Sequence, residues 1–181
     1  MKAPARFWFV VPVDEDGLDD VGFAMPLRRD RERDLAHSHQ MLDGEPIEHW
    51  EVEEFELEGG GFGDFPRELR GYRLCSDRLR NVIENMKGPA DPLEWLPAKV
   101  RGPAGEIHDY WVLNLLRHPA TDLPGLEDLD WGTLRQYAQE GKLSSFRILP
   151  PPGHGLISFL VPDSVRQAIL DSGCRVSFRP L

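Results

Sequence analysis

The sequence predicts an α+β fold in a single domain, with a mixed or antiparallel sheet and a few short helices, and three observations carry that reading. The chain has 181 residues and 40% apolar side chains, enough for one core and short for two. Short β-branched and aromatic runs recur along it and read as strands. Two stretches carry helical spacing between recognisable ends. Within the domain, residues 1–70 read as an acidic part rich in strands and loops, and residues 71–181 as an α+β part.

From Phe7 to Val13 the β-branched and aromatic residues predict a first strand, and DEDGLDD (14–20) is a turn that ends it. The mixed-charge run RRDRERD (28–34) and the polar stretch through His39 read as an exposed loop or a short helix. EHWEVEEFELE (48–58) alternates well enough for a strand with one acidic face. There Trp50 and Val52 share a face, which Phe55 and Leu57 join only if the strand is bulged or shifted by a residue. In CSDRLRNVIENMK (75–87), Leu79, Val82, Ile83 and Met86 recur at helical spacing after Ser76, a good N-cap, and Gly88-Pro89 stops the pattern.

EWLPAKV and DYWVLNLL follow as strands joined by RGPAGE, whose Gly and Pro suit a hairpin-like connection. DLPGLEDLDWGTLRQYAQEGK is a loop leading into a short helix around Leu134 to Gln139. SSFRIL reads as another short strand, PPPGHG as a rigid loop and LISFLV as a buried strand. PDSVRQAILDSGC is a second capped helix with Gly173 as its stop, and RVSFRPL ends the chain as a strand. An internal echo runs through this half. Asp77 to Ile83 matches Asp163 to Ile169 in type at four of seven places, and each helix leads to an aromatic-x-Pro strand end, Trp95-Leu96-Pro97 and Phe178-Arg179-Pro180. A repeated helix-then-strand unit explains it, and so does the chance likeness of two capped helices.

Charge narrows the classes of partner. Against 21 basic side chains stand 31 acidic ones, a formal charge of −10, which repels nucleic acid and anionic membrane and favours a basic protein partner. Two cysteines, Cys75 and Cys174, form no CxxC pair and suit a reducing compartment. The amino-terminal apolar run is interrupted by Pro12 and followed at once by acids, so it reads as a strand and neither a signal peptide nor a membrane span. A cytoplasmic protein is expected.

No catalytic signature emerges. Gly59-Gly60-Gly61-Phe62-Gly63 lacks the following helix and the lysine of a phosphate cradle, and acids flank it, so it reads as a flexible hairpin loop. His37, His39 and His49 lack the carboxylate or cysteine spacing of a metal site and read as surface histidines. The acids from Asp14 to Asp20 lack the spacing and distal glutamate of a calcium loop. His154, between two glycines after three prolines, could display a general base, yet no nucleophile or second acid stands beside it in sequence. Neither a GxSxG, an HExxH nor a Walker pattern occurs. No catalytic residue, metal or cofactor is therefore expected, and the chain reads as a binding protein.

HDYWVLNLL (108–116), together with CSDRLRNVIE, EWLPAKV, SSFRIL, LVPDSVRQAILDSG and VSFRPL in that order, resembles a family of bacterial immunity proteins from polymorphic-toxin and kin-discrimination systems. The resemblance spans about residues 70–181 and implies a single α+β domain, encoded beside a toxin gene, that protects the producer by binding the toxin, often a nuclease. It carries over no catalytic residue. If those motifs build the scaffold, partner choice falls to the segment from Trp50 to Phe65, with six carboxylates and no base. The expected contacts are Glu51, Glu53, Glu54, Glu56, Glu58 and Asp64, with Trp50, Phe55 and Phe62 as aromatic anchors. An acidic edge strand kept soluble by its charge is the plainer reading of the same residues. An inhibitor or chaperone of a co-produced secreted protease, and a small hydrolase or transferase built on His154 or the amino-terminal histidines, are the alternatives.

Overall fold

Tyr110 to Leu115 is large or apolar at nearly every position, so as a strand it has to be covered on both sides. The computed structural model describes residues 6–12, 22–28, 30–68, 70–89, 91–116, 130–149 and 158–181. The elements are β1 (Phe7–Val11), β2 (Phe23–Pro26), α1 (Arg31–Leu42), β3 (Glu53–Glu58), β4 (Leu74–Ser76), α2 (Asp77–Met86), β5 (Leu93–Arg101), β6 (Ile107–Leu115), α3 (Trp131–Gln139), β7 (Phe159–Pro162), α4 (Asp163–Asp171) and β8 (Ser177–Pro180). One sheet has the order β7-β1-β8 and is antiparallel; the other has the order β2-β3-β5-β6-β4 and is mixed, with β3 parallel to β5. This is the expected single-domain α+β fold.

Three cores hold it together. The first joins the two sheets: Val10, Phe159 and Val161 from one, Cys75, Leu113 and Leu115 from the other, with Leu79 and Ile83 of α2 and Val165 and Ile169 of α4. The second lies on the other face of the five-stranded sheet, where Phe55, Leu57, Leu96, Val100, Tyr110 and Val112 meet Met41, Ile47 and Tyr72. The third packs Leu134 and Ala138 of α3 with Phe7 and Leu160. Each large side chain so buried contributes about 1.5–3 kcal/mol of transfer free energy. β6 therefore separates two cores, as its apolar run demands. Asn114, fully buried within it, does not end the strand; its amide donates to the carbonyl of Glu45 at 2.8 Å and to Glu94 at 3.0 Å.

Local signals mostly hold. Ser76 caps α2 by accepting from the Leu79 N–H, and Gly173 takes the left-handed conformation (φ +72) after α4. α4, however, has Pro162 at its N-cap and no side-chain capping bond there. RRDRERD enters a twelve-residue helix, α1, capped by Asp30, whose carboxylate accepts from the Arg33 N–H. SSFRIL is not a strand. Asp91 takes the N–H groups of Arg147 and Ile148 that a ladder would need, and only Leu149 pairs, with Leu160 of β7. The glycine run is not a hairpin either, because the next strand, β4, lies at the far edge of the sheet from β2 and β3. β2 and β4 are too short to announce themselves by period. The turn at 14–20 and PPPGHG with His154 lie outside the described residues.

The internal echo is structural. In β4-α2-β5 the two strands flank β6, antiparallel to both; in β7-α4-β8 the two strands flank β1 in the same way. The registers coincide. Trp111 of β6 lies opposite Cys75 and Pro97, and Trp8 of β1 lies opposite Val161 and Pro180. Each tryptophan donates its indole N–H to the first aspartate of its helix, Trp111 to Asp77 at 2.6 Å and Trp8 to Asp163 at 3.0 Å. The arginine one turn later covers each ring, Arg80 at 3.8 Å from the Trp111 centroid and Arg166 at 4.1 Å from that of Trp8. The helices pack together in the first core, so two units of one design meet there. They differ in the N-cap, Ser76 against Pro162, in the length of the returning strand, and in where the middle strand comes from, after the unit for β6 and before it for β1.

Because Trp→Phe keeps an aromatic ring and deletes the indole donor, Trp8→Phe and Trp111→Phe should each lower stability by about 1 kcal/mol in urea unfolding. A loss at only one of the two would show that the clamps are not equivalent.

Candidate functional site

β3 alternates without a bulge. Glu53, Phe55 and Leu57 face inward and Glu54, Glu56 and Glu58 face out, the strand beginning at Glu53 so that Trp50 and Val52 precede it. It is not an edge strand, since β2 and β5 pair on either side. Register sets the neighbours on the outward face. Glu58 and Glu56 lie opposite Phe23 and Met25 of β2, Glu54 and Glu56 beside Lys99 and Arg101 of β5, and those two opposite Asp109 and Ile107 of β6. Along that face of β6, Ile107 (53% exposed) and Asp109 are open, Trp111 is half-buried, and Leu113 and Leu115 are core. The five-stranded sheet is thus covered by α2 over one half and open over the other, and the acidic row of β3 lies on the open half.

The expected contact residues divide accordingly. Glu54, Glu56 and Glu58 come together on the open face, while Glu51 is exposed beyond the strand and bonded to Arg33 at 2.8 Å. Phe55 is fully buried in the second core and Glu53 is 3% exposed, so neither is available to a partner as expected: the inward parity of the strand takes both. Asp64 is buried too. Its carboxylate accepts from the Ser76 hydroxyl and from the Arg175 N–H at 2.8 Å, which ties the start of α2 to the turn after α4. Trp50 is half-buried, donating to the Pro97 carbonyl at 2.8 Å with its ring 5.2 Å from that of His37. Phe62 lies on His108, with ring centroids 4.0 Å apart.

Behind β3, under α1, lies an ion cluster that no motif announced. Arg33 spans Glu51 and Glu53 at 2.8 and 2.9 Å, and Arg70 spans Asp34 and Glu53 at 2.6 and 3.1 Å. Glu68 accepts from the Tyr72 N–H, and its other oxygen stands 3.4 Å from Arg70 Nε outside hydrogen-bond geometry. Burial pushes the Glu68 carboxyl up to about 7, against the Tyr72 N–H and Arg70, which favour its anion. Burial likewise pushes the Tyr72 phenol up, and with Arg33 it pushes His37 down. His37 is therefore a buried helix residue where a surface one was expected; His39 and His49 are exposed. The faint signal was in RRDRERD, whose Arg33 and Asp34 sit side by side, but their partners lie 18 to 36 residues away.

Among the described residues no group of three or more His, Cys, Asp or Glu could hold a metal ion, and no helix is long and apolar enough to cross a membrane. Cys75 and Cys174 are free thiols in the first core, and burial raises both. Phe55→Ala should cost about 3–5 kcal/mol in urea unfolding, whereas Glu54→Gln and Glu56→Gln should each stay within about 0.5 kcal/mol. Equal losses at all three would place the outward glutamates in the scaffold. Against models of known protein families the chain finds no match, and against curated proteins it finds none either.

Proposed function

We propose that this chain is an immunity protein that binds a basic protein toxin in the producer's cytoplasm and blocks its active or substrate-binding surface. The observation that carries the reading is the open half of the five-stranded sheet. Glu54, Glu56 and Glu58 form one outward row there, with Asp109 two strands away, on a chain of net charge −10. A toxin that grips phosphates, as a nuclease does, presents lysines and arginines that this row complements, and such pairing speeds encounter and selects partners more than it raises affinity. Phe23, Met25 and Ile107 on the same face supply apolar contact beside the acids. Lys99 and Arg101, next to the row, meet the toxin's acids and set register, a device that penalises wrong partners. The likeness of HDYWVLNLL and its companion motifs to toxin-immunity proteins supports the same conclusion.

Co-expression with the product of the neighbouring gene, followed by binding measurements over a salt series, tests the proposal. Association should slow as salt rises. It should slow further, at least tenfold at low salt, when Glu54, Glu56 and Glu58 become Gln together, because three steering charges are lost. Absence of binding to the neighbour's product, or binding indifferent to both salt and the triple variant, would overturn it.

A further inference from the structure

We propose that the seat of α1 is a proton-operated latch: protonation of the Glu68 carboxylate holds α1 on the sheet, and loss of that proton loosens it. The cluster beneath α1 has one acid too many. From α1 come Arg33, Asp34 and His37, from β3 and the residues before it Glu53 and Glu51, and from the 68–72 segment Glu68, Arg70 and Tyr72; Tyr110 of β6 faces the same core. Four guanidinium hydrogen bonds go to Asp34, Glu51 and Glu53, with Glu51 73% exposed and half in water. Inside the cluster Asp34, Glu53 and Glu68 then face two guanidiniums, and Glu68, with a side chain 0% exposed, accepts from the Tyr72 N–H and shares Arg70 with Asp34 and Glu53, the Arg70 Nε standing 3.4 Å from its other oxygen outside hydrogen-bond geometry.

A buried carboxylate so poorly paired is more stable neutral. Its pKa of about 7 agrees, while the phenols of Tyr72 and Tyr110 are pushed above their ordinary range and His37 below its own, so these neutral groups stay neutral near pH 7. α1 is the element that feels the change. Of its described side chains only His37 and Met41 are buried, Leu42 packs partly buried on the second core, Leu35 is 51% exposed, and the ion cluster supplies the polar part of its seat. For an acid whose pKa is raised by folding, the stabilisation is complete below the unfolded value near 4.5 and is lost as pH rises through 7.

Amide hydrogen-exchange protection, corrected for intrinsic rates and followed from pH 6 to pH 9, tests the latch. In the full chain the amides of α1 should lose about tenfold in protection between pH 6 and pH 8 and change little above, while those of α2 hold steady. Glu68→Gln, neutral at every pH, should abolish the step, and His37→Asn should retain it. A step that survives in Glu68→Gln or disappears in His37→Asn would overturn the proposal. Should Glu68→Gln fail to fold, the carboxyl carbon shift of Glu68 in the unaltered protein decides: a midpoint near 7 supports the latch and one near 4.5 refutes it.

Discussion

With Tyr110 and Val112 on one side and Trp111, Leu113 and Leu115 on the other, β6 has no face that water can wet over most of its length, so the fold has to place a layer on each side of it. On one side stand Met41 of α1, Ile47 and Tyr72; on the other stand α2, α4 and, beyond them, the three-stranded sheet. Where the strand turns polar, at Ile107 to Asp109, that second layer ends and the sheet lies open. The position of the candidate interface therefore follows from where β6 stops being apolar.

The same unit solves the packing problem twice. In each, a strand runs directly into a helix, and the helix returns to a strand one place removed, the gap filled by an antiparallel strand whose tryptophan is clamped by the helix's Asp and Arg. A helix laid on a three-stranded ribbon leaves its other side apolar, and two such helices cover each other. Asp64 adds a polar tie between the units by bonding Ser76 and Arg175. The likeness of Asp77–Ile83 to Asp163–Ile169 is thus part of a shared structural design, and the residues that match are those that clamp or pack.

Carboxylates one residue apart on β3 do opposite work. Glu54 and Glu56 point to solvent, where a charge costs little, while Glu53 points inward and is stable only because Arg33 and Arg70 both reach it. The period of two that makes the open face acidic also forces this buried charge, and the ion cluster beneath α1 answers it. Glu68, drawn into the same cluster with Arg70 shared among three carboxylates, is the acid that burial pushes up.

Much of the scaffold could be read without coordinates, because local physics sets it. Ser76 as a cap, Gly173 as a stop, the Gly-Pro connection between β5 and β6 and the apolar runs of β1, β6 and β7 all act within a few residues of themselves. The acidic segment was legible as a strand, yet its face assignment was not, since that depends on the strand starting at Glu53 and on which strands flank it. SSFRIL looked like a strand until Asp91, 56 residues upstream, took its donors. Residue types and their short-range spacing determined α2, α3 and α4, most strands and the sign of the surface charge. Only the tertiary structure decided which glutamates are buried, that β3 is internal, and which half of the sheet stays open, because each of these is set by pairing between segments far apart in the chain.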